Sequence, residues 1–259
     1  MTTTALALPH APSAAGIYAL EIRLELLRLL RTPAFALPMF LLPVGTYLLF
    51  AFAVAGEMVA KDPDAGRFMF AGFSVMAVTM AALFATCPNL AMEREQGLLT
   101  LKRAQPAPPS AWLTAKIVAG VACGAIAYLP ILVLAAVTGQ ARLDGVQLAA
   151  MSAVLIAGTI PFCALGLMLG TLTSGSAAPA YANLVYLPGI YLSGLFFPLP
   201  KSMHFQTVLW PQFHLDQLVF AAGGVAKFRW IAPEMAFAVL LGFTVLCSGV
   251  AMWRLSRKG

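Results

Sequence analysis

Phe68–Met92 reads FMFAGFSVMAVTMAALFATCPNLAM, twenty-five residues without one Asp, Glu, Lys or Arg. A helix needs about 20 predominantly apolar residues to cross roughly 30 Å of hydrocarbon, and this stretch has room to spare. Five more runs of the same kind flank it: Ala34–Ala55, Thr114–Thr138, Leu148–Thr173, Ala177–Leu199 and Ala232–Trp253. Charge touches them only at their edges, at Lys116, Glu93 and Glu234. The pattern predicts an all-α integral membrane protein with six transmembrane helices.

Composition agrees. The chain is 61% hydrophobic and 10% charged, far from the balance of a soluble domain. Six spans in 259 residues leave only short connections, so no separate soluble catalytic domain is expected. Cys87, Cys123, Cys163 and Cys247 all fall inside apolar runs, where cysteine acts as a small hydrophobe. Neither zinc-site spacing nor a disulfide framework is indicated. The first sixteen residues hold no Lys or Arg and no cleavable apolar region follows them, so a removable signal peptide is not expected.

The net charge of +6 is a matter of topology. Six spans put both termini on one side, with segments 93–116 and 174–176. That side holds ten Lys and Arg against four acids; the other holds six against six. Lys and Arg accumulate in cytoplasmic loops, which places both termini in the cytoplasm and removes the case for a nucleic-acid partner.

Outside the spans, residues 1–13 read as a loose tail. Over Ala14–Arg31, Ile22, Leu26, Leu29 and Leu30 share one helical face, and Glu21, Glu25 and Arg28 the opposite one. Such a segment suits an amphipathic helix at the membrane interface, or a short soluble helix under the bundle. Residues 200–231 carry Phe205, Trp210, Phe213, Leu215, Leu218 and Phe220. They are too apolar for a free loop and too interrupted to span, so an external segment dipping partly into the membrane under a cover of protein is expected.

Other constellations say less. Gly120/Gly124 and Gly166/Gly170 allow close helix approach, either within the chain or at a dimer face. His204, His214 and Asp216 could form a metal site, but polar residues on an amphipathic segment account for them, and no metal is expected. Inside the spans only groups such as Asn89, Asn183, Ser and Thr are polar, so proton or sodium coupling has no visible carrier. Tyr191 stands where an intramembrane serine protease would need Gly before Ser193-Gly194, and no catalytic residue is assigned. No G-x-x-x-x-G-K-[ST] phosphate loop occurs.

Three features in order resemble the membrane subunit of a bacterial ABC exporter, the ABC type 2 transporter permease. They are the amphipathic helix Ala14–Arg31; Glu93-Arg94-Glu95-Gln96-Gly97-Leu98-Leu99-Thr100-Leu101-Lys102-Arg103 with Pro106 and Leu113–Lys116 beyond it; and Tyr191-Leu192-Ser193-Gly194-Leu195-Phe196-Phe197-Pro198-Leu199 with Trp210-Pro211 and His214-Leu215. The second is similar to the family's E-R-E-x-G-T-L-x-x-L segment, with Leu99 where Thr is common. The third is similar to its S-G-x-x-F-P run.

The resemblance implies a single transmembrane permease domain over 1–259 (tail 1–13, interfacial helix 14–31, six-helix bundle 34–253, cytoplasmic tail 254–259), multi-pass in the bacterial inner membrane. It implies a second permease subunit and a separate dimer of ATP-binding cassette ATPase subunits, which would hold ATP and Mg; this chain holds no cofactor. Glu93, Arg94, Glu95, Gly97, Leu98 and Leu101 are then expected to couple the bundle to the ATPase; an ordinary positive-inside loop would not require the acids Glu93 and Glu95. Asn183, Tyr186, Tyr191, Ser193, Phe196 and Phe197 combine aromatic faces with polar handles, the make-up of a ligand-binding wall, or of plain helix packing with an interfacial aromatic belt. They are the candidates for a substrate pathway. A non-transporting sensor or immunity partner in an ATPase complex is the alternative.

Overall fold

A computed structural model of the chain describes residues 13–54, 56–105, 107–197 and 199–258. The tail expected over 1–13 lies outside them apart from Ser13, as do Pro106 and Pro198 of the quoted motifs. The described residues form twelve α-helices and no strand: α1 (Ala14–Leu30), α2 (Pro33–Leu48), α3 (Gly56–Lys61), α4 (Pro63–Glu95), α5 (Leu98–Ala104), α6 (Pro109–Thr138), α7 (Gly145–Ala157), α8 (Thr159–Leu172), α9 (Ala178–Leu192), α10 (His204–Thr207), α11 (Pro211–Ala222) and α12 (Pro233–Lys258). A π-helical stretch, Leu49–Val54, prolongs α2.

The deciding stretch of the sequence is the axis of the bundle. From Phe68 to Leu83 almost every side chain of α4 is buried, and α8, α6, α2, α9 and α11 pack around it. Lipid tails are as apolar as leucine, so helices in a bilayer gain by close packing rather than by leaving water. The glycines provide that closeness. A Cβ on Gly120 would lie 2.6 Å from Cys163 Sγ, one on Gly124 2.6 Å from Thr159 Cγ2, and one on Gly170 2.7 Å from the Cys87 carbonyl oxygen; Gly166 is pressed against Thr86. Both glycine pairs are therefore spent on α6–α8 and α8–α4 contacts inside the chain.

Among the described residues five helical stretches are long and apolar enough to span: Pro33–Val54, Asp64–Glu95, Ser110–Thr138, Gly145–Leu172 and Pro233–Arg257. The fourth is broken at Gly158 between α7 and α8, where Pro161 has no N–H to give the Ala157 carbonyl. Outward faces of α2 and α12 carry exposed Leu37, Leu41, Phe237, Val245 and Leu246, a surface for lipid. The chain is a multi-pass membrane protein.

Two expectations need correction. The run Ala177–Leu199 is not one helix. α9 stops at Leu192, fifteen residues and about 22 Å long; Gly194 then takes φ +80°, and the Leu195 carbonyl is packed against Gly72 of α4, in space a Cβ would fill.

The polar face of α1 is turned inward. Glu25 and Leu29 are buried, while Leu20 and Leu24 are more than half exposed. Cationic partners on α5 and α6 decide the orientation, because an acid facing them is satisfied and one facing lipid is not.

Nor do His204, His214 and Asp216 converge. His204 stacks on Trp230 with ring centroids 3.6 Å apart, His214 Nε2 meets the Val208 carbonyl oxygen at 2.8 Å, and among the described residues no three His, Cys, Asp or Glu side chains are grouped for a metal.

α11 is not a loop. Gln212, Phe213, His214, Leu215, Asp216, Gln217, Val219 and Phe220 are all buried, and the helix packs on α12, α7 and α4.

Candidate functional site

The C-terminal end of α4 gathers four helices. Glu93 follows twenty-five uncharged residues, so its carboxylate emerges where the apolar run ends. Lys116 stands at the matching depth of α6. Lys116 Nζ donates to Glu25 Oε1 of α1 at 2.9 Å and lies 2.9 Å from Glu93 Oε2, an ion pair outside hydrogen-bond alignment. Arg28, one helical turn after Glu25, donates to Glu25 Oε1 at 2.8 Å and also to Glu93 Oε1. Two acids thus meet two bases, with Glu25 at 6%, Glu93 at 2% and Lys116 at 1% exposure. A buried charge cluster of this kind needs every member, since removing one leaves another unpaired in low dielectric.

The next two residues reach the other side. Arg94 donates to the Gly170 carbonyl at 2.9 Å, a favourable place for a cation at the C-terminal end of α8. Glu95 accepts the Gly175 N–H at 2.8 Å in the turn between α8 and α9. Gly97, at φ +71°, reverses the chain into α5, a conformation that costs a residue with a Cβ roughly 1 kcal/mol or more. On α5, Leu99 is buried with Leu90, Trp112, Leu167, Ala251 and Leu255. Lys102 pairs with Glu21 of α1 at 3.1 Å, and Tyr18 of α1 meets Ser110 of α6 at 2.6 Å.

The six candidate coupling residues therefore divide. Glu93, Arg94 and Glu95 are engaged inside the chain, and Leu98 is half-buried. Thr100 and Leu101, the latter 62% exposed, form the outer face of α5. A cleft of about 240 Å³, lined by Arg94, Glu95, Leu99, Thr100, Thr173 and Ser174, opens beside them. Glu25, Arg28 and Lys116 were not among the sequence candidates. The signal was there, in a lone lysine inside a span and two acids on one face of α1, but partners 65 and 91 residues apart cannot be matched by spacing.

At the other end the six pathway candidates do not form one wall. Tyr186 is buried and its hydroxyl donates to the Met76 carbonyl at 2.9 Å. Ser193 is buried and donates to Ile190 at 3.4 Å. Phe196 joins an aromatic cluster, stacked on Phe50 at 6.2 Å and tilted on Phe73 at 5.2 Å. Asn183, Tyr191 and Phe197 are exposed, on an outer surface shared with Tyr181, Leu184 and Leu187. Asn183 nevertheless donates back to Pro179 at 3.1 Å.

The sequence is similar to those of known proteins. A family profile described as ABC-2 type transporter matches residues 19–214, from within α1 through the buried charge cluster, α5 and α9 into α11. A Bacillus subtilis (strain 168) protein named "Putative transport permease YvfS" is 21% identical over 221 residues, which cover 83% of this chain and 90% of that protein. With most of its length matched, and with the charged turn after α4 lying in the matched region, the chain belongs to the ABC-2 type transporter family.

Proposed function

We propose that the chain is the permease subunit of an ATP-binding cassette exporter, driven by separate ATPase subunits and moving an apolar or amphipathic substrate (a drug, lipid or lipid-linked compound) outward. The supporting observation is the mechanical link at residues 93–102. That segment is tied by ion pairs and hydrogen bonds to α1, α6, α8 and the α8–α9 turn, while Thr100 and Leu101 stay free on its surface. A push on α5 would be passed to α1, α6 and α8.

In this reading α9 is the short fifth of six crossings, and α11 is the re-entrant segment that completes it from outside. The exposed face of α9, with Asn183 and Tyr191, and Phe197 in the turn beyond it meet a second copy of the chain and border the pathway. Both termini and α5 lie on the cytoplasmic side of a bacterial inner membrane, as the charge split favours. A bundle interior poor in free charge suits an uncharged or amphipathic cargo.

The test is ATP-driven movement of a panel of apolar and lipid-linked compounds in vesicles holding this chain and a cognate ATPase. Movement that needs both ATP and this chain supports the proposal. A complex that hydrolyses ATP and moves no compound favours the sensor or immunity role. Labelling of Lys102→Cys from outside intact cells would overturn the orientation.

A further inference from the structure

Asp216 sits in the middle of α11 with 3% of its surface exposed. Its Oδ1 is sealed from solvent without a hydrogen-bond partner, and among the described residues no ion pair reaches the side chain. The carboxyl borders a cavity of about 10 Å³ enclosed by Phe68, Phe220, Phe228, Trp230, Ser193 and Gln217, close to the roughly 10–15 Å³ that a single water needs. The polar neighbours are committed elsewhere. Ser193 donates to the Ile190 carbonyl at 3.4 Å; Gln217 accepts the Trp230 N–H at 2.6 Å and donates to the Phe228 carbonyl at 3.2 Å.

Charged groups on the surrounding elements offer no compensation. On α4, Arg67 pairs with Asp64. In the connection after α11, Lys227 pairs with Asp62 of the α3–α4 turn and Arg229 is exposed. At the start of α12, Glu234 is exposed. Asp144 caps α7. Tyr186 on α9 bonds the α4 backbone and Tyr191 is exposed. His204 stacks on Trp230. His214 on α11 itself points Nε2 at the Val208 carbonyl, and burial holds its imidazole below its ordinary range. Among the described residues an ionised carboxylate in this setting would have no counter-charge and no protein donor, and such a group takes up a proton instead.

We propose that Asp216 is a proton-binding site: the seated external segment holds it as the neutral acid, and displacement of α11 into water releases the proton. Burial, which pushes this carboxyl well above the usual carboxylate range, agrees with the geometry. The direction of the linkage follows. The seated state binds a proton that the displaced state does not, so between the ordinary carboxyl pKa of about 3.9 and the raised one, seating weakens as pH rises, by up to about tenfold per pH unit. The sequence showed no proton carrier inside the spans; this one sits in the segment between them. The inference concerns α11 alone and stands or falls independently of what the chain transports.

The experiment uses the full-length chain in lipid nanodiscs. Infrared spectra near neutral pH should contain the carbonyl stretch of a protonated carboxyl, and Asp216→Asn should lack that contribution. Absence of any protonated-carboxyl band from the parent protein overturns the proposal, whatever the variant does; so does an equal band in both. The second arm places Val219→Cys, at a fully buried position of α11, in a background lacking the native cysteines. Its labelling rate is compared with and without Asp216→Asn, so that the reagent's own pH dependence cancels. The ratio of parent to variant rate should climb with pH, by up to about tenfold per unit. A ratio flat across the range would overturn the link between proton and seating.

Discussion

Lys116 and Glu93 face each other at 2.9 Å across α6 and α4, both nearly fully buried at the C-terminal end of α4. The pair has no exit to water, and with Arg28 and Glu25 it closes a cluster of zero net charge. Lys116→Met should therefore lower stability by about 3 kcal/mol, the low end for a broken buried pair, because Glu25 and Glu93 lose their buried partner and keep only the half-exposed Arg28. Adding Glu93→Gln to Lys116→Met should restore part of that loss, since one buried negative charge goes with the positive one. A double-mutant cycle on thermal melting measures it. Independent, additive effects would contradict a shared cluster.

Loss of transport in a Glu93 variant consequently reports on folding as much as on coupling. Leu101 is the cleaner probe, because its side chain is mostly exposed on the outer face of α5. Leu101→Glu should leave melting within about 0.5 kcal/mol of the parent while lowering ATP-driven transport and binding of the ATPase subunits. Gly97→Pro is the contrasting case: the ring fixes φ near −65° where the turn needs +71°, so it should impair both. Unchanged transport in Leu101→Glu would remove α5 from the ATPase interface.

Packing predicts a third outcome. Gly166 lies against Thr86 and the Leu83 carbonyl with no room for a methyl group. Gly166→Ala should cost about 1–3 kcal/mol by overpacking α4 against α8, without changing the oligomeric state seen by light scattering. A shift from dimer to monomer at unchanged stability would instead move this glycine to an interface between copies.

The helices were legible because a span announces itself in composition alone. Four of the six apolar runs coincide with long helices within a few residues, and Leu148–Thr173 does so with a break that Pro161 marks in the sequence. What failed was read from local pattern where distant residues decide. The apolar run Ala177–Leu199 predicts a helix to its end, yet Gly72, more than a hundred residues earlier, makes a seat for Leu195 and the chain turns there. Glu25 reads as the exposed face of an amphipathic helix, and is, until Lys116 is placed beside it. Glu93, Arg94 and Glu95 stand out in the sequence as charges at the end of an apolar run, but their partners lie in α1, α6, α8 and the α8–α9 turn.

The opposite end of the bundle has its own clasp, Lys227 on Asp62 at 2.7 Å. The hydrogen bond from Lys227 holds Asp62 below the usual carboxylate range, and Asp62 in turn raises Lys227. An acid with a depressed pKa contributes above its unfolded value of 3.8 and is lost as pH falls through the lowered one. A lysine with a raised pKa contributes below 10.5 and is lost above it. The clasp is thus constant from about pH 5 to about pH 9, weak because both groups are exposed, and screened by salt. Lys227→Ala should leave the pH profile of melting unchanged over that window. A changed profile would show that Lys227 has a second, titrating partner.

Phe196 and Phe197 are neighbours in sequence with opposite surroundings, and that contrast tests the pathway. Phe196 contacts Phe50, Phe73 and Tyr191, so Phe196→Ala removes packing from the outer end of the bundle and should lower stability by about 1–3 kcal/mol. Phe197 is 55% exposed and touches only the edge of Phe50 among the described rings. Phe197→Ala should leave melting nearly unchanged. If the outer face of α9 borders the substrate, the same change should alter transport of large aromatic compounds more than small ones, because a ring is worth most to a ligand that stacks on it. The measurement is the ratio of initial transport rates for a large and a small substrate in the same vesicles. A ratio equal to that of the parent, with dimer and ATPase binding retained, would mark Phe197 as a lipid-facing ring and move the pathway away from this face.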